Sequence, residues 1–392
     1  MKLSRHAIIS IVLVVVAFGV AFVTQAIYLD QYTKRISLPG IGPVFTGHLS
    51  ENLQASITRP FTIQAGMESV TISPDQLTTW IEPYHRVFTG RQEYRLNIAS
   101  ITDMLDDFAP AMATAPVNSK FGVSYESSKI IEVTPGVPGK QLDLEESLAS
   151  VTRAFIDGQS YAELEVTDVE PQLTLASLQK LGITDHLGQG KSNFAGSPSS
   201  RVHNIDIGAR KFNDIFIAPG ELFSFNDRLG DTGAKEGYLP GLVIKSGKLV
   251  PEYGGGICQV STTMFRVAME SGLAIKERHP HALPVKYYNP QGYDATIYQG
   301  VVDLRFLNDT PGPILIQSRI EGTNIIFDMF GVADGRTVAI DGPRQYDVQP
   351  NGAMKAVMSR NVTFADGTDH KDMFYSSYKS PALYEVVRNP LE

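Results

Sequence analysis

A single cysteine, Cys258, serves a chain of 392 residues, so an intramolecular disulfide is excluded. The same scarcity removes the paired-cysteine spacing of structural zinc sites, and no His-Glu-x-x-His run is present to hold a catalytic zinc. The chain has no basic run and no interleaving of basic with aromatic residues, and its net charge is −8, which argues against nucleic acid as a partner. Long low-complexity segments are also missing. What remains is ordinary globular material, 43% hydrophobic and 19% charged, enough for a sizeable core. No metal and no cofactor is expected.

One long apolar run stands at the start. Residues Ala7 to Leu29 carry no charge, with Ser10, Thr24 and Gln25 as the polar interruptions. That length crosses a hydrocarbon core of about 30 Å as a helix. Lys2 and Arg5 ahead of it predict a cytoplasmic amino terminus and an uncleaved single-pass membrane anchor. A cleaved signal peptide is the alternative, with Thr24-Gln25-Ala26 as a loose cleavage site. Either reading puts the bulk of the chain outside the cytoplasm. Extracytoplasmic proteins pair their cysteines or lack them, so a lone thiol there is a candidate for reactivity.

The length beyond the anchor suggests two domains. The expected division is 1–46 for the cytoplasmic tip, anchor and connector, 47–187 for a small α+β module, and 188–392 for a strand-rich domain with one principal helix after the cysteine. In the module, Ser73 and Pro74 read as a helix start, Ser100 to Phe108 and Asp143 to Ile156 as amphipathic helices, and Lys120 to Tyr125 and Lys129 to Val133 as strands. Gly188 to Ser200, rich in Gly, Ser and Asn, reads as an exposed junction. Beyond it, Val302 to Phe306, Ile314 to Arg319 and Asn324 to Met329 read as strands, and the tail after Asp334 as short strands and turns.

Chemistry concentrates around Cys258. It follows Gly254, Gly255 and Gly256 and precedes an apolar-periodic segment, Val260, Met264, Val267 and Ala268, with Gly272 placed to end a helix. A helix starting there aims free N–H groups and a positive dipole end at the sulfur, which lowers a thiol pKa. The bland alternative is a small buried hydrophobe. Gln259, Ser261 and Thr262 join the glycines as expected substrate-binding residues, and the main-chain N–H groups of Cys258 and Gln259 as expected oxyanion donors. Downstream, Glu277-Arg278-His279-Pro280-His281 offers two histidines as the base that a cysteine nucleophile needs, and Asp294 offers a carboxylate to orient one of them. The proline and the unequal reach of the two rings favour one histidine without saying which. Arg278 is expected to bind a substrate carboxylate. His-Pro-His with a nearby cysteine could instead ligate zinc, against which stands the lack of any further ligand pattern.

At these residues the chain resembles the VanW-like family. The resemblance lies in GGGICQVSTTMFRVAMESGL, ERHPHALPV, GYDATI and VVDLRFLNDT, preceded by IAPGELFSFN and LVIKSGKLVPEYGGG in the same order. The segment before them is similar to the peptidoglycan-binding domain that accompanies that family, through APVNSKF, VTPGVPGKQLDL and VEPQLTL. The resemblance implies a membrane-anchored envelope protein acting on peptidoglycan stem peptides. It further implies an L,D-transpeptidase with Cys258 as nucleophile, forming 3→3 cross-links through a thioester, with carboxypeptidase activity when water replaces the acceptor amine. The alternative is a non-catalytic protein that grips peptidoglycan or its precursor, linked to glycopeptide resistance.

Overall fold

The computed structural model describes residues 44–45, 51–86, 91–124, 126–245, 248–383 and 385–386. The expected membrane anchor lies outside these residues. Among the described residues no helix is long and apolar enough to cross a membrane. The fold is α+β, with small, mostly antiparallel sheets and interspersed helices.

The chain divides into two compact units, and the division differs from the expected one. The first comprises residues up to 117 together with 137–171; the second comprises 118–136 together with 172–392. The strand pair Lys120–Val123 and Ile130–Thr134, read as part of the first module, belongs to the second unit. The reason is apolar: Phe121 and Ile130 are buried with Leu178, Ile183, Leu315 and Phe330.

In the first unit, Phe61–Ala65 pairs antiparallel with Glu68–Ile72 and parallel with Tyr161–Glu163. Ser73 caps a short helix through a reciprocal capping box with Gln76, and Pro74 stands in its first turn. The helices Ile98–Met112 and Leu144–Ile156 start at Asn97 and Asp143, whose side chains accept from main-chain N–H groups three residues on. Phe61, Trp80 and Phe155 meet edge-on, with centroids 5.1 to 6.0 Å apart. Such pairs contribute about 1 kcal/mol each beyond area burial.

The second unit is built around the helix Ile257–Glu270, which is buried from Gln259 to Met269. It lies on a four-stranded antiparallel sheet ordered Asp185–Asn193, Asn324–Gly331, Ile314–Glu321, Ile215–Ile217. Asp185–Asn193 runs straight through the expected junction at Gly188. Its glycines serve close packing: a Cβ at Gly190 would stand 2.4 Å from the Thr263 carbonyl oxygen and 2.5 Å from the Val267 nitrogen. The following residues form a second long helix, Ser199–Arg210. It carries no clear apolar period because buried polar residues, Arg201 and Asn204 among them, occupy its inner face. The tail is more regular than expected. Thr337–Tyr346, Met354–Thr363 and Asp369–Tyr378, each ten residues long, form a three-stranded antiparallel meander. Its buried Arg360 binds Asp372 and reaches the carbonyls of Ala268 and Met269 near the carboxyl end of the cysteine helix, where cations oppose the negative dipole end.

Gly190→Ala should lower unfolding free energy by about 1–3 kcal/mol, the usual cost of overpacking, whereas Gly196→Ala, which meets nothing within 4 Å, should cost less despite its positive φ. Denaturant titration of both variants checks the order; equal losses would contradict the close-packing role of the Asp185–Asn193 strand.

Candidate active site

Cys258 is the second residue of its helix, and Gly256 precedes the helix at φ +112°. That backbone region suits glycine, and a Cβ there would also stand 2.9 Å from Arg201 Cγ. Gly255 serves a different purpose: a Cβ would meet the Gly241 main chain at 2.4 Å. The run thus lets the chain turn tightly into the helix against a neighbouring backbone. At the second helical position the Cys258 amide has no intrahelical acceptor, and among the described residues it has no main-chain partner outside the helix. The Gln259 amide is not available as expected, because it donates to the Gly256 carbonyl at 2.8 Å.

His281 is buried beside the thiol. Its Nδ1 and main-chain N–H both bond Asp294 Oδ2, at 2.5 and 2.8 Å. Nδ1 therefore carries the proton toward the carboxylate, leaving Nε2 as the working nitrogen. Nε2 is buried without a conventional hydrogen bond, and it interacts with the Cys258 sulfur. Such contacts commonly tighten only when substrate arrives. The sulfur also lies 3.6 Å from Thr296 Oγ1 and 3.7 Å from the Ile297 carbonyl oxygen. The Tyr288 ring stacks on the imidazole, centroids 4.4 Å apart.

Burial pushes the Cys258 thiol up, but the His281 imidazole, the Ile297 main chain and the Thr296 hydroxyl outweigh it and leave the thiol lowered. Burial likewise pushes His281 down, and the hydrogen bond to Asp294 with the interaction of Cys258 overcomes it, raising the imidazole to about 9. Asp294 is held well below the usual carboxylate range, since His281, Arg278 and Tyr378 outweigh its burial. These directions together favour a thiolate–imidazolium pair at neutral pH.

His279 and His281, two residues apart, have different surroundings. The His279 side chain is 51% exposed and pairs with Glu277 at 3.4 Å, while its main-chain carbonyl accepts from Thr296. Of the two rings, it is His281 that meets the sulfur. Arg278 departs from expectation. Its five N–H groups are taken by Asp294 (O and Oδ1), Gly292 O, Ser376 Oγ and Tyr375 O. No donor is left for a substrate carboxylate, so Arg278 holds Asp294 in place instead. Ser261 and Thr262, also expected to bind substrate, are fully buried and bond the Ala295 main chain. The Gln259 side chain is likewise internal, placed between Arg201 and Ser192. Ser261 and Thr262 fasten the helix to the segment bearing Asp294 and Thr296, and Gln259 ties it to the Ser199–Arg210 helix and the Asp185–Asn193 strand. Gly254 and Gly256, unlike Gly255, line the cavity. That cavity is about 1380 Å³ and exposes Cys258, both histidines, Arg201, Tyr287 and Tyr298. Among the described residues no cluster of His, Cys, Asp and Glu could hold a metal ion.

Residues 200–330, which contain Cys258, His281 and Asp294, match the family model described as VanW like protein. Two relatives are similar to part of this chain. The Bacillus subtilis protein YoaR, described as uncharacterized, is 34% identical over 200 residues, covering 50% of this chain and 65% of its own length. The vancomycin B-type resistance protein VanW of Enterococcus faecalis is 31% identical over 178 residues, covering 43% of this chain and 64% of its own. Residues 200–330 are thus a VanW-like domain. The chain spans just under two thirds of each of these relatives. Among solved structures, an Enterococcus faecium L,D-transpeptidase matches at 16% identity and a TM-score of 0.21, covering 30% of this chain and 44% of that one, a score too low to establish a shared fold.

Sequence reasoning missed Tyr378, Tyr288 and Arg201 in this VanW-like site. Tyr378 donates to Asp294 Oδ1 at 2.5 Å from 84 residues further along the chain, and no local spacing announces such a contact. Asp294→Asn in the VanW-like domain should lower the His281 pKa and so raise that of Cys258. Each unit of rise removes about tenfold in thiolate fraction, and thus in alkylation rate, at a pH below the thiol pKa. Iodoacetamide rates measured against pH check this, and an unshifted profile would contradict it.

Proposed function

We propose that this protein is a cell-wall acyltransferase, an L,D-transpeptidase that forms 3→3 cross-links between peptidoglycan stem peptides. The observation that carries the reading is the line of Cys258, His281 and Asp294 at the start of a buried helix, opening into a large cavity. A nucleophile beside a base, with the base oriented by a third group, is the arrangement covalent acyl transfer requires. The cell-wall setting is supported by the resemblance to the VanW-like family and by the resistance named for one relative.

The Cys258 thiolate attacks the carbonyl joining the third stem residue to the terminal D-alanine. Charge builds on that oxygen, and the Cys258 N–H at the positive end of the helix faces it. The His281 imidazolium gives its Nε2 proton to the departing amine, D-alanine leaves, and a thioester remains. The side-chain amine of a second stem then attacks, His281 accepts its proton, and the thiolate is expelled as the new amide forms. Water in place of that amine gives a carboxypeptidase outcome. A cavity of about 1380 Å³ has room for parts of both stems.

In this reading the first unit binds peptidoglycan, and the Ala7 to Leu29 run tethers the chain with its bulk outside the cytoplasm. Tethering sets the catalytic domain within reach of the wall.

Cys258→Ser should reduce cross-link formation to near background, because an alcohol is far harder to ionise than a thiol. His281→Ala should lower kcat by about 10²-fold or more, and His279→Ala by much less. The activity should fall on the alkaline side as pH rises through about 9, where His281 loses the proton that the leaving amine needs. Muropeptide analysis after incubation with a defined tetrapeptide-stem substrate reads all three. Undiminished cross-linking by Cys258→Ser would overturn the mechanism and favour a binding protein.

A further inference from the structure

Arg201 sits in the Ser199–Arg210 helix, is 8% exposed, and lines the cavity that exposes Cys258. Its guanidinium donates to Ser197 Oγ at 2.7 Å and Gln259 Oε1 at 2.8 Å, and it stacks on the Tyr287 ring at 4.0 Å. Among the described residues no carboxylate pairs with it. A buried cation without a counter-charge is costly, and the domain's other buried arginines avoid that cost. Arg278 has Asp294, Arg336 has Asp309 and Asp334, and Arg360 has Asp372. Arg266 has no carboxylate but spreads its donors over four main-chain carbonyls. Arg201 alone in this group keeps N–H groups in hand while facing an open cavity.

Its position relative to the thiol is fixed from both sides. Gln259, which follows Cys258, takes one guanidinium nitrogen, and Gly256 packs against the Arg201 stem. Burial pushes the Tyr288 hydroxyl up, the charge and hydrogen bonding of Arg201 oppose that, and Cys258 adds to it, so the phenol lies against both groups. The Lys286 ammonium lies 5.0 Å from the centre of the same Tyr287 ring, adding positive potential at this wall.

We infer that Arg201 receives the C-terminal carboxylate of the peptide whose last bond Cys258 attacks, an inference that rests on the acyl-transfer reading of the site. The planar fork of a guanidinium matches a carboxylate bidentately and holds it more strongly than a neutral donor would. One residue beyond the attacked carbonyl, a free carboxylate is the feature that marks a chain end. Arg201 thus makes the site an exo-acting one: it selects the terminal residue as leaving group and rejects internal peptide bonds.

The test uses the full-length protein and two small alkylating agents that differ in charge. In the wild type, Cys258 should react faster with iodoacetate than with iodoacetamide, after correction for their intrinsic reactivities. In Arg201→Gln that ratio should fall about tenfold, the worth of one charge-assisted hydrogen bond, and Arg201→Lys should restore part of it. A ratio unchanged by Arg201→Gln would overturn the inference. Should the Gln variant not fold, protection of wild-type Cys258 from iodoacetamide decides: acetyl-lysyl-D-alanine should protect and its C-terminal amide should not. Equal protection by both would overturn the inference. Neither readout needs turnover, so a protein that shows the carboxylate preference but makes no cross-link would keep Arg201's role and refute the transpeptidase reading alone.

Discussion

Asp294 is 1% exposed and keeps its charge because four donors converge on its two oxygens: the His281 main-chain N–H, His281 Nδ1, the Tyr378 hydroxyl and Arg278 Nη2. A buried carboxylate with fewer partners would take up a proton instead. Everything reactive in the site follows from this saturation. A fixed negative charge at Nδ1 fixes the tautomer, stabilises the imidazolium, and turns Nε2 toward the sulfur. Burial alone pushes the thiol pKa the other way, and without Asp294 the imidazole that opposes it would lose a main support of its charge.

The supports of that carboxylate come from distant parts of the chain. Tyr378 and Ser376 lie on the last strand of the terminal meander, and Arg278 ties them to the Asp294 segment. Arg360, from the middle strand, reaches the far end of the cysteine helix. The meander is therefore part of the machinery that holds the site and not an appendage. On the other side, Gly188 and Gly190 allow the helix to lie directly on its sheet, so close backbone contact joins the side-chain bonds of Ser261, Thr262 and Gln259 in setting the position of Cys258.

What the sequence revealed was local. Ser73-Pro74, the glycine run before Cys258 and the apolar period after it each act within one turn of chain, and each is found where the pattern indicated. The α+β class followed from the same short-range signals. The Gly188 to Asn193 part of the expected junction misled because glycine and serine mark loops when exposed, yet here they mark a strand pressed against a helix, and only residues 194–198 form the expected turn. Arg278 and Gln259 misled for a related reason. Polar residues next to a reactive group read as substrate contacts, but their donors are consumed inside the domain. Their partners, at Ser376 and Ser192, lie far off in sequence, where spacing carries no signal.

The central claim is that Cys258 is a thiolate paired with the His281 imidazolium at neutral pH. Ultraviolet thiolate absorbance against pH, with Cys258→Ser as the blank, tests it most directly. The account predicts that the thiolate is already formed at neutral pH, and that His281→Ala moves its appearance to clearly more alkaline values. A thiolate that appears in the wild type only at the pH of an ordinary thiol, unmoved by His281→Ala, would contradict it.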